Sequence, residues 1–244
     1  MSRVTQFLIK CVSGDLGHVI QKEKRITEER AKIYVAEVIL ALEDLHKRDI
    51  IFRDLKPDNV VLDEEGHALL TDFGLSKEGV MDNMSAKSFC GSVAYLAPEM
   101  LRRSGHGKSV DWYLLGVLLY ELVVGQPPYF TTNRDQLFKN IQTAPLKLPM
   151  YLSADIKNLL IALLNRNPQK RLGSGKGDAD EIKKHPWFKN INWDDAIKRK
   201  LKPPKPHVKP IIPVKIPMEI FTENSAKDEN RLEGWSFGTK HNNI

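Results

Sequence analysis

Residues 52–74, Phe52-Arg53-Asp54-Leu55-Lys56-Pro57-Asp58-Asn59 running through VVLDEEGHALLT into Asp72-Phe73-Gly74, are the stretch on which the fold turns. Two short apolar runs, 60–62 and 67–70, are separated by Asp63-Glu64-Glu65-Gly66, which is turn chemistry between two strands. Folding the chain about Glu64 and Glu65 brings Asn59, just before the first strand, beside Thr71 and Asp72 at the end of the second. Two oxygen-bearing side chains, Asn59 and Asp72, then meet at one rim of a small sheet. Few, hard oxygen ligands with room for water and phosphate suit Mg²⁺ better than a closed protein cage does. Asp54 and Lys56 lie in the loop entering the same rim. An aspartate there can orient a hydroxyl and accept its proton, and a lysine can neutralise charge on a transferring phosphoryl group. Singly, each is more often a solvated loop charge or a turn former. Together they suggest phosphoryl transfer.

The flanking sequence is helical on both sides. Upstream, 27–46 reads as a long helix, with Thr27 as cap, Glu28 and Glu29 in the first turn and apolar residues over most of its faces. Downstream, a loop containing glycine and serine reaches Ser92, and helical patterns follow over 109–125, 133–142 and 153–165. Pro127-Pro128, Pro145 and Pro149 mark the turns between them. The nearly uncharged run from Trp112 to Gly125 is too short to span a bilayer and reads as a helix buried on all sides. A tight loop at 173–177 precedes a last short helix near 180–184. The chain from about Asn192 reads as a proline-rich tail. Residues 1–13 read as a strand entering a connector, and their apolar stretch is too short and too polar for a signal peptide.

Composition is that of an ordinary globular protein: 244 residues, 41% hydrophobic and 28% charged. Two cysteines, Cys11 and Cys90, support neither a disulfide framework nor a zinc pattern, so a reducing compartment is expected. The net charge of +6 is concentrated in 198–215, where lysines and prolines alternate without an acidic residue. No aromatic interleaves with those lysines, so nucleic acid is not the expected partner and a solvated tail is. The glycine-rich loop at 173–177 resembles a phosphate loop only superficially. Its Lys176 is followed by glycine rather than serine or threonine, and no strand precedes it.

Residues 52–59 resemble the catalytic loop of protein kinases. Asp72-Phe73-Gly74 is similar to their metal-binding motif, and Ala97-Pro98-Glu99 to the close of their activation segment. Within that family, Ser88-Phe89-Cys90-Gly91-Ser92, Lys170-Arg171-Leu172-Gly173, His185-Pro186-Trp187-Phe188 and Leu232-Glu233-Gly234-Trp235-Ser236-Phe237 resemble the AGC group of serine/threonine kinases. The resemblance implies a mainly α fold: a kinase-like C-lobe over 14–188 carrying one small β-hairpin, with an AGC-type tail over 189–244. Residues 1–13 would be a remnant of small-lobe strand and hinge. The rest of the N-lobe, with its Gly-rich loop and strand lysine, is expected to be essentially missing.

Site roles follow from the same resemblance. Asp54 would be the catalytic base, Lys56 the phosphate contact, and Asn59 and Asp72 the Mg²⁺ ligands. ATP would meet Val61 under its adenine, the backbone of Ile9 to Cys11 along the adenine edge, and Asp15 at the ribose. Asp15, Asp58 and Glu121 would select basic residues before the acceptor serine or threonine. Ser88 and Ser236 would be phosphosites, the first written by an upstream activating kinase and received by Arg53. Glu99 would pair with Arg171, and Asp111 would brace the catalytic loop. Implied cofactors are ATP and Mg²⁺, implied partners are basic protein substrates, and the implied location is cytoplasmic with the nucleus as a second compartment. A catalytically silent binding module built from a kinase C-lobe is the alternative, with Leu232, Trp235 and Phe237 free to dock on another kinase.

Overall fold

The computed structural model describes residues 14–79, 93–103 and 105–203. The expectations for 1–13 (the missing N-lobe, Ile9 and Cys11 included), for Ser88 and Ser236, and for the tail beyond Pro203 fall outside the described residues. Within them, helices surround a single two-stranded sheet.

The first helix, α1 (Leu16–Glu23), starts where the Asp15 side chain accepts the His18 N–H. The long helix α2 (Glu28–Lys47) is capped by Thr27, carries Glu28 and Glu29 at its positive end and His46 and Lys47 at its negative end. Its inward face, from Ala31 through Leu42, is buried against the sheet and the helices behind it. Strands β1 (Val60–Leu62) and β2 (Ala68–Leu70) pair antiparallel, Val60 opposite Leu70 and Leu62 opposite Ala68. A short helix, α3 (Pro98–Arg102), begins on proline, whose missing N–H costs nothing there.

Helix α4 (Ser109–Val124) is the centre of the molecule, buried on nearly every face. It ends at Gly125, which has φ 94° and lies against the Lys24 carbonyl; a Cβ there would sit 2.2 Å from that oxygen. Only glycine combines that backbone with that approach. Helix α5 (Arg134–Thr143) packs on α3, while α6 (Ala154–Leu163) packs on α4 and α7 (Ala179–Lys183) on α2. Gly116 of α4 lets α6 in close, since a Cβ would meet Leu163 at 2.9 Å.

One expectation is corrected. The proline-rich tail does not begin near Asn192: α8 (Trp193–Ile197) forms there, with Asn192 accepting the Asp195 N–H and Asp194 and Asp195 in the first turn. Asparagine followed by two acids is a helix start, and the indole gives the helix something to bury. The Trp193 ring stands 5.5 Å from Phe188, and α8 packs on α2.

The glycine loop at 173–177 is closed by the chain's own carboxylate. Glu181 accepts the N–H of Gly173 at 3.1 Å and of Gly177 at 3.3 Å, which occupies the amides a phosphate would need.

Candidate active site

The site begins with Asp111, the third residue of α4 and fully buried. Its Oδ2 accepts the Phe52 N–H and its Oδ1 the Arg53 N–H, both at 2.8 Å. Arg53 has φ 68°, a left-handed conformation that a long side chain seldom adopts, and the carboxylate holds it there. The Arg53 guanidinium donates through Nε to the Leu75 carbonyl at 2.7 Å, tying the loop to the segment after Asp72.

Asp111 is itself held by a partner that sequence reasoning overlooked. His46 approaches Asp111 through Nε2 at 2.9 Å and Asp178 through Nδ1 at 3.0 Å. Trp112 adds its indole N–H to Asp178 at 2.7 Å. Burial alone would lower the His46 pKa, but the two carboxylates outweigh it and raise it to about 9. The folded pKa lies above the unfolded value near 6.5. This stabilisation is therefore complete below about pH 6.5 and fades as pH rises through 9. It amounts to roughly 3 kcal/mol. The thermal midpoint should fall between pH 6.5 and 9, and Asp178→Asn should flatten that fall; equal slopes in both proteins would exclude His46 as its origin.

Beyond the braced backbone comes Asp54, 5% exposed. Its Oδ2 accepts Lys56 Nζ at 3.0 Å and Asn59 Nδ2 at 2.8 Å. Asn59 Nδ2 also donates to the Asp54 carbonyl at 2.7 Å, and the 3₁₀ turn Pro57–Asn59 holds it in place. The amide nitrogen is thus spent inside the loop, and the amide oxygen is the atom left for a cation. The Thr71 N–H donates to the Asn59 carbonyl at 3.0 Å, placing Asp72 at the same rim. Asp72 has φ 60° and an exposed carboxylate whose Oδ1 accepts the Gly74 N–H at 3.3 Å. The next ring, Phe73, meets Phe52 edge-on at 5.3 Å, so Phe52 serves as a packing partner for the Asp-Phe-Gly turn.

On the other edge of β1, Asp15 bridges Val61, and the Leu62 N–H donates to the Gly14 carbonyl at 2.9 Å. Val61 remains partly exposed, an apolar surface beside the oxygen-rich rim. Next to it opens a cavity of about 520 Å³, lined by Asp15, His18, Asp58, Tyr95 and Glu121 among others. Tyr95 donates its hydroxyl to Glu121 at 2.6 Å. Burial raises the Glu121 pKa, and the charge of Asp58 adds to that rise. Three carboxylates thus face one hollow with no lysine or arginine among the described residues of its lining, a demand for a cation.

Further back, Arg171 and Glu99 form a buried two-pronged pair at 2.6 and 3.0 Å. Arg171 also donates to the carbonyls of Ser109 and Asn165, which joins α3 to the start of α4.

Asn59 and Asp72 are oxygen donors at one rim beside a carboxylate, and the Asn59 amide is turned with its oxygen available, so the residues present fit Mg²⁺. What the arrangement can do is hold a hydroxyl at Asp54 within reach of a phosphate that Lys56 and a metal neutralise.

The protein kinase domain matches residues 3–188. The chain is 43% identical to human RAC-beta serine/threonine-protein kinase over 87% of its own length and 44% of that protein. It is 49% identical to chicken ribosomal protein S6 kinase 2 alpha over 80% of its length and 26% of that protein. It is 44% identical to Dictyostelium discoideum protein kinase 2 over 92% of its length and 48% of that protein. The chain spans less than half the length of these curated relatives.

Proposed function

This chain belongs to the protein kinase family, in the AGC group of serine/threonine kinases, and from that premise we propose that it carries the large-lobe half of an ATP-dependent phosphotransfer site. The reaction moves the γ-phosphoryl of ATP to a serine or threonine hydroxyl of a basic protein. The observation that carries this reading is the Asp54 carboxylate held between Lys56 and Asn59, at the rim where Asp72 stands.

Each residue then has a task. Asp54 accepts the hydroxyl proton of the substrate as the oxygen turns toward phosphorus. Lys56, on the same carboxylate, offsets charge building on the transferring group. Asn59 and Asp72 hold Mg²⁺, which when bound neutralises the phosphate oxygens. Val61 lies under the adenine, and Asp15 has a second carboxylate oxygen for the ribose. Arg53 receives the phosphate of modified Ser88, drawing the activation segment onto the catalytic loop. Ser236 is a second phosphosite.

The acidic hollow sets substrate choice. A guanidinium among Asp15, Asp58 and Glu121 meets three carboxylates with no lysine or arginine among the described lining residues. Incubation with labelled ATP and Mg²⁺ should label a serine peptide with arginine upstream, and Glu121→Gln should raise its KM roughly tenfold. An arginine-free peptide should show no such change. Equal use of the two peptides would remove the assignment of the hollow, and no magnesium-dependent labelling of either, by this chain or by a longer one that supplies a small lobe, would remove the reaction.

A further inference from the structure

The sheet that Asn59 and Asp72 flank has two strands of three residues each, a ribbon too small to hold its own register in water. Its β1 edge is taken by Gly14 and Asp15. Among the described residues the β2 edge has no neighbouring strand. The ladder bonds beyond the strand ends run through Asn59 with Thr71 and Asp63 with His67, so the Ala68 N–H points away from β1. Ala68 is buried, and a donor there needs an acceptor.

Glu37, from the middle of α2, supplies it. Its Oε2 accepts the Ala68 N–H at 2.7 Å, and its Oε1 lies 2.5 Å from His67 Nδ1. Glu37 is 9% exposed and His67 4%. Burial raises the Glu37 pKa, while the Ala68 amide, His67 and the charge of Arg199 work against that rise. A carboxylate so buried is costly, and packing alone would be served better by an apolar side chain. The turn end of the hairpin is held separately. Asp63 accepts the N–H groups of Glu65 and His67, and Arg199 bonds its other oxygen.

We propose that Glu37 is a positioning residue: its carboxylate stands where a third strand would, closes the β2 edge with His67 as partner, and so sets where Asp72 stands relative to Asn59. This rests on the phosphotransfer reading above. Asp72 lies four residues past Ala68 on the same strand exit, so a slip of β2 on α2 moves one metal ligand and leaves the other, in the turn before β1, behind.

The test uses Mn²⁺ with ADP as the probe, titrated by electron paramagnetic resonance, together with amide hydrogen exchange over 68–74 without metal. Glu37→Ala should raise the Mn²⁺ Kd roughly tenfold, the size of a lost outer-shell support. It should also speed exchange at Ala68 and Thr71 by about tenfold or more. Glu37→Gln keeps an oxygen for Ala68 and should stay within about threefold of the unaltered chain on both readouts. Leu159→Ala, on α6, supplies a loss of thermal stability without touching Glu37, and should leave the Kd unchanged. An unchanged Kd in Glu37→Ala, or an equal rise in Leu159→Ala, would overturn the positioning role. Mn²⁺ binding that ignores Asp72→Asn would overturn the phosphotransfer reading instead.

Discussion

Asp54→Asn should lower kcat for peptide phosphorylation by a factor of about 10² to 10⁴, the range a positioned general base supplies. The KM for ATP should move little, because the change leaves Asn59 and Asp72 in place. Asparagine has the shape of aspartate and keeps one oxygen for Lys56 or Asn59, so the loop should persist. What it loses is the capacity to take a proton. The Asp54 carboxylate is 5% exposed and touches Lys56 and Asn59, and among the described residues no second carboxylate is bonded into that group to stand in for it. Steady-state kinetics with labelled ATP, paired with a melting curve, checks this. A kcat within threefold of the unaltered chain would remove Asp54 as base, whereas a collapse of the melting curve would make it a structural residue.

Arg171→Ala should cost about 3–5 kcal/mol, because it strands Glu99 as an uncompensated buried charge. For a chain of this size that is a fall of about 10 °C or more in thermal midpoint. Arg171 has no exposed side-chain surface, holds both oxygens of Glu99, and caps the carbonyls of Ser109 and Asn165. Its loss therefore breaks three attachments at once and frees α3 from the start of α4. The double change Glu99→Leu with Arg171→Met should recover part of the loss, since an apolar pair needs no partner charge. Calorimetry distinguishes the outcomes: a fall under 2 °C in Arg171→Ala would show that water reaches the pair and screens it.

Much of the site was legible because it is local. Asn59 and Thr71 are joined by a hairpin of a few residues, so the turn at 63–66 sufficed to bring Asn59 and Asp72 to one rim. The long helix was legible from Thr27, Glu28 and Glu29, and α4 from its unbroken apolar run. The start of α8 was overlooked because its signal, one asparagine and two acids, was read as part of the basic tail that follows it.

Two contacts that join distant parts of the chain left no such mark. His46 closes a helix as any histidine might; that Asp111 and Asp178 flank it depends on α4 and the loop before α7 arriving together, 65 and 132 residues away. Glu37 is one acidic residue on a charged helix until β2 lies over it. Asp15, Asp58 and Glu121 were grouped by family resemblance, and their shared hollow forms only where α1, the turn before β1 and α4 meet.

The sequence by itself determined the elements, the rim chemistry and the family, because turn residues, caps and apolar runs act over a few positions. Only the tertiary structure decided that His46 joins Asp111 to Asp178 and that Glu37 closes the sheet edge. Those assignments depend on burial and on distances between residues far apart in the chain, and a buried charge takes its role from the partner that packing brings to it.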